Sequence, residues 1–119
     1  MNFRKLAAAG AATAGALTFA FVAHAQSPSW DDVGPIFAGN CTGCHSGPNA
    51  RAGLDLSSYM SALNGGNNGA VLLSGDPENS VLMWRITGQV TPQMPRGGTP
   101  LPDEEIEMIR AWIAGGLQQ

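Results

Sequence analysis

The chain has 119 residues, six of them basic and nine acidic, for a net charge of −3. Removal of a 25-residue leader, argued below, would leave 94 residues. That is one small domain, which needs a staple such as a disulfide, a metal or a bound cofactor, and it is too short for two-domain enzymes and nucleotide-binding α/β folds. Beyond the leader the only cations are Arg51, Arg85, Arg96 and Arg110, set against nine carboxylates. Without lysine and at −5, this part lacks the electrostatic footprint of a nucleic-acid binder, and anionic membrane surfaces are disfavoured for the same reason.

The first element is the leader itself. Arg4 and Lys5 form a basic start, Leu6 to Val22 is an uncharged Ala-rich run of 17 residues, and Ala23-His24-Ala25 offers small residues where a signal peptidase reads. Residues 1–25 are expected to be a secretory signal peptide, with residues 26–119 forming the domain. The alternative is an uncleaved membrane anchor, but the run is rich in Ala, Gly and Thr rather than Leu or Ile. After cleavage no membrane insertion is expected. The site of action would be the periplasm, where disulfides could persist.

Glycine and proline make up 22 of the 94 remaining residues, and no alternating run suggests a strand. Short helices joined by ordered loops are therefore expected. The first spans about Ser29 to Asn40, with Val33, Ile36, Phe37 and Cys41 at helical spacing. Pro35 sits inside it, so a kink or a later start is expected there. A short helix near Ser57 to Leu63 would stop at Gly65-Gly66. A third, opened by Asp76-Pro77-Glu78, would run to about Thr87-Gly88. The last begins at Asp103-Glu104-Glu105, carries the stripe Ile106, Ile109, Trp112 and Ile113, and ends at Gly115-Gly116. Four such segments make a small all-α fold.

Between the first two helices lies Cys41-Thr42-Gly43-Cys44-His45, a C-x-x-C-H arrangement. In this arrangement two thiols add to the vinyl groups of haem while the adjoining imidazole coordinates iron. One turn of chain spans the porphyrin edge and sets the histidine under the metal, and attachment staples the fold. A thioredoxin-like redox pair would need a βαβ pattern, which is absent. Structural zinc would need a fourth ligand, yet beyond the leader there is no other cysteine or histidine. A simple disulfide would leave His45 without a task. One covalently attached haem c is the expected cofactor.

With His45 engaged and lysine absent, bis-histidine and His/Lys ligation within one chain are excluded, and methionine is the remaining strong candidate for the second axial position. Met60, Met83 and Met108 lie in helical patterns, where methionine usually fills a core. Met94 stands in Thr91-Pro92-Gln93-Met94-Pro95-Arg96-Gly97-Gly98-Thr99-Pro100, a loop whose prolines and glycines define a backbone path. His45 and Met94 are the expected axial ligands, and Met83 is the second choice. The haem propionates would require donors, for which Arg51, Arg85, Arg96, Trp84 and Tyr59 are the candidates.

These features resemble the monohaem class I cytochromes c: an early C-x-x-C-H, a late methionine loop and a terminal amphipathic helix. More narrowly, Val33-x-Pro35-Ile36-Phe37, Gly53-Leu54-Asp55-Leu56, Gly75-Asp76-Pro77 and Met94-Pro95-x-Gly97-Gly98 before Leu101 look like the planctomycete-type cytochrome c domain. That family often has a second proline after Met-Pro, where this chain has Arg96. The resemblance implies N- and C-terminal helices that cross, with Phe37 meeting Trp112. By analogy, a carbonyl near Pro48 would orient His45.

The expected function is that of a soluble electron carrier, a monomer that passes single electrons between redox partner proteins and is not an enzyme. Both axial positions would be filled. The alternative is a sensing, ligand-binding or catalytic haem protein with an open distal site, although no second histidine is available for peroxidase chemistry. A third reading is a docking module of a larger respiratory complex, and the end of the chain at Gln119 favours the free carrier. From net charge alone, a partner's docking site is expected to be neutral, apolar or basic.

Overall fold

The computed structural model describes residues 9–19 and 26–119. The basic start and Ala23-His24-Ala25 of the expected signal peptide lie outside the described residues. Residues 9–19 are exposed and carry neither helix nor strand. No described helix is long and apolar enough to cross a membrane.

Four α-helices and no strand occur among the described residues: α1 (Trp30–Asn40), α2 (Tyr59–Asn64), α3 (Val81–Ile86) and α4 (Asp103–Ala114). The domain is all-α, as expected. Short 3-10 turns at Arg51–Gly53 and Pro77–Asn79 precede α2 and α3.

Local chemistry explains these boundaries. A capping box opens α1: the Asp31 amide donates to Ser29 Oγ at 3.2 Å, and the Ser29 amide donates to Asp32 Oδ2 at 2.8 Å. The box fixes the start at Trp30, so the helix neither begins at Pro35 nor ends there. Pro35 instead sits in its second turn, where the missing N–H would have bonded the carbonyl of exposed Asp31. The third expected helix is divided. Asp76 caps the 3-10 turn, and Ser80 then turns to extended backbone before α3 begins. The Ser80 hydroxyl, fully buried, donates to Asp76 O and accepts from the Leu73 amide, both at 2.9 Å. A side chain that bonds nearby main chain in this way competes with helix continuation.

The core joins the two ends of the domain. Phe37 of α1 and Trp112 of α4 meet edge to face with ring centroids 6.0 Å apart. Trp30 stacks on Phe37 at 5.6 Å and also meets Trp112 at 5.8 Å. The chain end then folds back: Gln118 O accepts from the Trp30 amide at 2.9 Å and from Trp112 Nε1 at 2.8 Å, while Tyr59 Oη donates to Leu117 O at 2.7 Å. Apolar burial and satisfied indole and phenol groups thus clamp α1, α2 and α4 together. Below the clamp, Val33, Ile36, Leu72, Leu82, Met83, Ile109 and Ile113 complete the interior.

Candidate functional site

The C-x-x-C-H segment starts where α1 ends. Cys41 is the C-cap, its amide donating to Phe37 O at 2.8 Å, and the amides of Cys44 and His45 both donate to Cys41 O, at 3.2 and 2.9 Å. These bonds curl the five residues into one turn. Both thiols are free; Cys41 is half-buried and Cys44 exposed. Burial, and secondarily the Glu105 carboxylate, push the Cys41 thiol up to about 11, so it stays protonated near neutral pH.

The imidazole of His45 is oriented by main chain. Nδ1 lies 3.1 Å from Arg51 O and 3.2 Å from Leu54 O. Carbonyls only accept, so Nδ1 carries the proton and Nε2 keeps its lone pair for a metal. The expected carbonyl near Pro48 is not the partner. The loop turns back later, through the 3-10 turn at Arg51–Gly53 with Ala52 at φ +56°, and it is held by Arg51 N–H to Cys44 O and Leu56 N–H to His45 O, each 2.9 Å.

His45 faces a cleft with two lobes. The inner lobe, of about 290 Å³, is walled by Phe37, Leu54, Leu56, Leu82, Ile86 and Leu101. The outer lobe, of about 590 Å³, is bordered by Asn40, Gly43, Cys44, Arg51, Pro95 and Arg96. Cys41, His45, Ala52 and Met94 line both lobes. Of the four candidate methionines, only Met94 stands in this cleft. Met83 is buried in the core and lines neither lobe, whereas Met60 and Met108 are exposed rather than core residues.

The Met94 loop is fastened to the end of α3. The Met94 amide donates to Arg85 O at 2.9 Å, Arg85 Nη1 donates to Thr91 O at 2.7 Å, and Gln93 Nε2 donates to Ile86 O at 3.1 Å. Gly88 (φ +75°) makes the turn that lets the loop return, and a Cβ there would press on the Gln93 side chain at 3.0 Å.

Several expected propionate donors have other partners. Tyr59 bonds Leu117, and Trp84 Nε1 donates to Glu78 O at 2.7 Å. Arg85 lines the inner lobe, with one of its nitrogens serving the Met94 loop. Arg51 and Arg96 border the outer lobe. Sequence reasoning missed the tight turn at Gly66–Gly69, which lines the inner lobe and packs on Ala52-Gly53, so that a Cβ at Gly66 would meet Ala52 O at 2.6 Å. The run Gly65-Gly66-Asn67-Asn68-Gly69 was the available signal.

An apolar cleft with two free thiols at its side, an imidazole that offers Nε2 and a thioether on the same cavity has the donor set of a covalently held haem. The two cysteines and His45 do not converge into a cluster that would hold a metal ion directly. A helical domain organised around this C-x-x-C-H turn supports a cytochrome c-type domain. Residues 41–98 match the family described as Planctomycete cytochrome C, from the first cysteine through the methionine loop. No curated protein and no solved structure matches the chain. The family implies haem c binding and a role in electron transfer, and cytochrome c domains usually work in periplasmic or extracellular space.

Proposed function

We propose that this protein is an exported, soluble electron carrier with the class I cytochrome c fold. One haem c is attached through Cys41 and Cys44, with His45 and Met94 as axial ligands to iron. The observation that carries this reading is that His45 and Met94 line one cleft while the other three candidate methionines do not. When bound, the haem supplies a one-electron ferric/ferrous couple, and thioether ligation favours the ferrous form and raises the potential.

The chain's own residues define the rest. Arg51 O and Leu54 O hold the His45 ring in one tautomer. The leucines and Ile86 give the inner lobe mainly apolar walls, which would lower the dielectric around a bound haem. Residues 1–25 are read as the export signal, and a mature protein beginning at Gln26 is the expected product, checked by N-terminal sequencing. The test of ligation is the visible spectrum of the purified ferrous protein before and after carbon monoxide. An unchanged haem spectrum supports two protein ligands and a carrier; a rapid shift supports an open distal site and the sensing or catalytic alternative. Absence of haem bands overturns the assignment.

A further inference from the structure

The fold sorts the four methionines of residues 26–119 by access to solvent. Met83 is 2 % exposed, and Met94 is half-buried, lining the cleft and packed against the core. Met60, by contrast, is 63 % exposed and Met108 40 %. Leu73 is the only other large apolar side chain exposed in this stretch, so two of the three are thioethers. Met60 stands two positions before buried Ala62, which turns it to the outer side of α2, and Met108 shares the outer side of α4 with exposed Glu104 and Ala111. The adaptable packing for which methionine suits a core is unused at both places. Their sulfur, the feature that sets methionine apart from leucine, faces solvent.

We infer that Met60 and Met108 are sacrificial oxidation sites, which take up electrophilic oxidants of the N-chloramine class as sulfoxides before Met94 is reached. The protective part rests on Met94 being the axial ligand proposed above; the order of oxidation does not. Oxidation follows access to the sulfur, and the Met94 side chain is half-buried on a loop tied by its amide to Arg85 O. The consequences differ as well. A sulfoxide is polar, so it breaks a packed interior at Met83 and replaces the soft thioether donor at Met94, whereas at an exposed position no packing is lost.

The probe is chloramine-T, an anionic N-chloro sulfonamide. The thioether sulfur loses two electrons and the N–Cl bond is reduced: chloride leaves, water supplies the oxygen of the new S–O bond, and the two protons of that water pass to the sulfonamide nitrogen. The haem-loaded ferric protein receives about two equivalents per chain, enough for two sulfoxides. Peptide mass spectrometry locates each added oxygen, and carbon monoxide is then added to the reduced sample. The expected result is oxygen on Met60 and Met108 and none on Met94, with the spectrum still indifferent to carbon monoxide and the melting temperature unchanged. In Met60→Leu/Met108→Leu, which keeps side-chain size and helix propensity, the same dose adds oxygen to Met94 and carbon monoxide shifts the spectrum.

Oxygen on Met94 before or together with Met60 and Met108 in the wild type would overturn the inference, as would first uptake at another side chain, such as the exposed Cys44 sulfur. A double variant that stays indifferent to carbon monoxide at the same dose would overturn the sacrificial role. Untreated samples are recorded first. Carbon monoxide binding there is a failure of the axial assignment, whereas a wrong order of oxygen uptake in a sample with a closed iron is a failure of this inference alone.

Discussion

Replacing Arg85 with glutamine removes the guanidinium's share of the Met94 loop fastening while leaving the main-chain bond from Met94 N–H to Arg85 O and the Gln93 side-chain bond to Ile86 O in place. The affected bonds are Nη1 to Thr91 O at 2.7 Å and a longer one to Pro92 O at 3.4 Å. Only the first has good length, and Arg85 is half-buried. A hydrogen bond to a charged group contributes about 1.5–3 kcal/mol, and partial exposure places this one at the lower end, near 1.5 kcal/mol. If loop opening is what frees the iron, the open population rises roughly tenfold, since about 1.4 kcal/mol is a factor of ten. The assay is carbon monoxide binding to the ferrous protein with Met94→Ala as the fully open reference. Arg85→Gln should bind about ten times faster than wild type and remain slower than Met94→Ala, and a shift of about 4–8 °C in melting temperature per kcal/mol should accompany any part of the loss that reaches global stability. Fast binding in Met94→Ala together with a wild-type rate in Arg85→Gln would refute the fastening role. A wild-type rate in Met94→Ala would instead refute Met94 as the ligand.

Tyr59→Phe leaves Leu117 O without its phenol donor, and a loss of about 0.5–1.5 kcal/mol is expected by urea unfolding, with the helix content retained. Ser80→Ala removes a fully buried hydroxyl that serves both Leu73 N–H and Asp76 O, and should cost about 1–3 kcal/mol in the same assay. The Asp55 carboxyl is held below the usual carboxylate range, first by the Ser57 hydroxyl at 2.6 Å and then by the Ser57 amide at 2.9 Å. Because the folded value is the lower one, the stabilisation is present above the unfolded pKa and disappears as pH falls through the folded pKa. Asp55→Asn should therefore flatten the acid limb of stability against pH and leave slopes near neutrality unchanged.

What could be read in advance was local in the chain. The C-x-x-C-H turn closes within five residues and the α4 stripe within one helix, so spacing alone locates both. Contacts across long separations were not legible. Tyr59 finds Leu117 58 residues away, and nothing near Tyr59 distinguishes that partner from a propionate. The His45 acceptors depend on a left-handed Ala52, a conformation unusual for a residue with a side chain, whereas the family analogy pointed to a carbonyl near Pro48. Ser80 looked like one more polar residue in a helix until its burial and two bonds showed why the helix divides. Charge was legible only as a sum; its placement required the fold.

The two expected ligands share a form of restraint that suits electron transfer. Neither is held by a network of polar side chains; the His45 ring is aligned by Arg51 O and Leu54 O, and Met94 is tied by its own amide to Arg85 O. Main-chain carbonyls are positioned by the loops and helix that carry them, so they do not change rotamer or ionisation when the iron changes charge. The inner lobe adds mainly apolar walls, with Asn67, Asn68 and Arg85 as the polar side chains among them. If His45 and Met94 hold iron as proposed, ligands fixed in this way would move little between the two oxidation states, keeping reorganisation small in a domain whose single core also bears the site. Two side chains add to this fastening of the Met94 loop, the Gln93 amide on Ile86 O and the Arg85 guanidinium on Thr91 O, and only the second carries a charge. Its substitution is therefore the change that should loosen the thioether while leaving the imidazole and its attachment turn undisturbed.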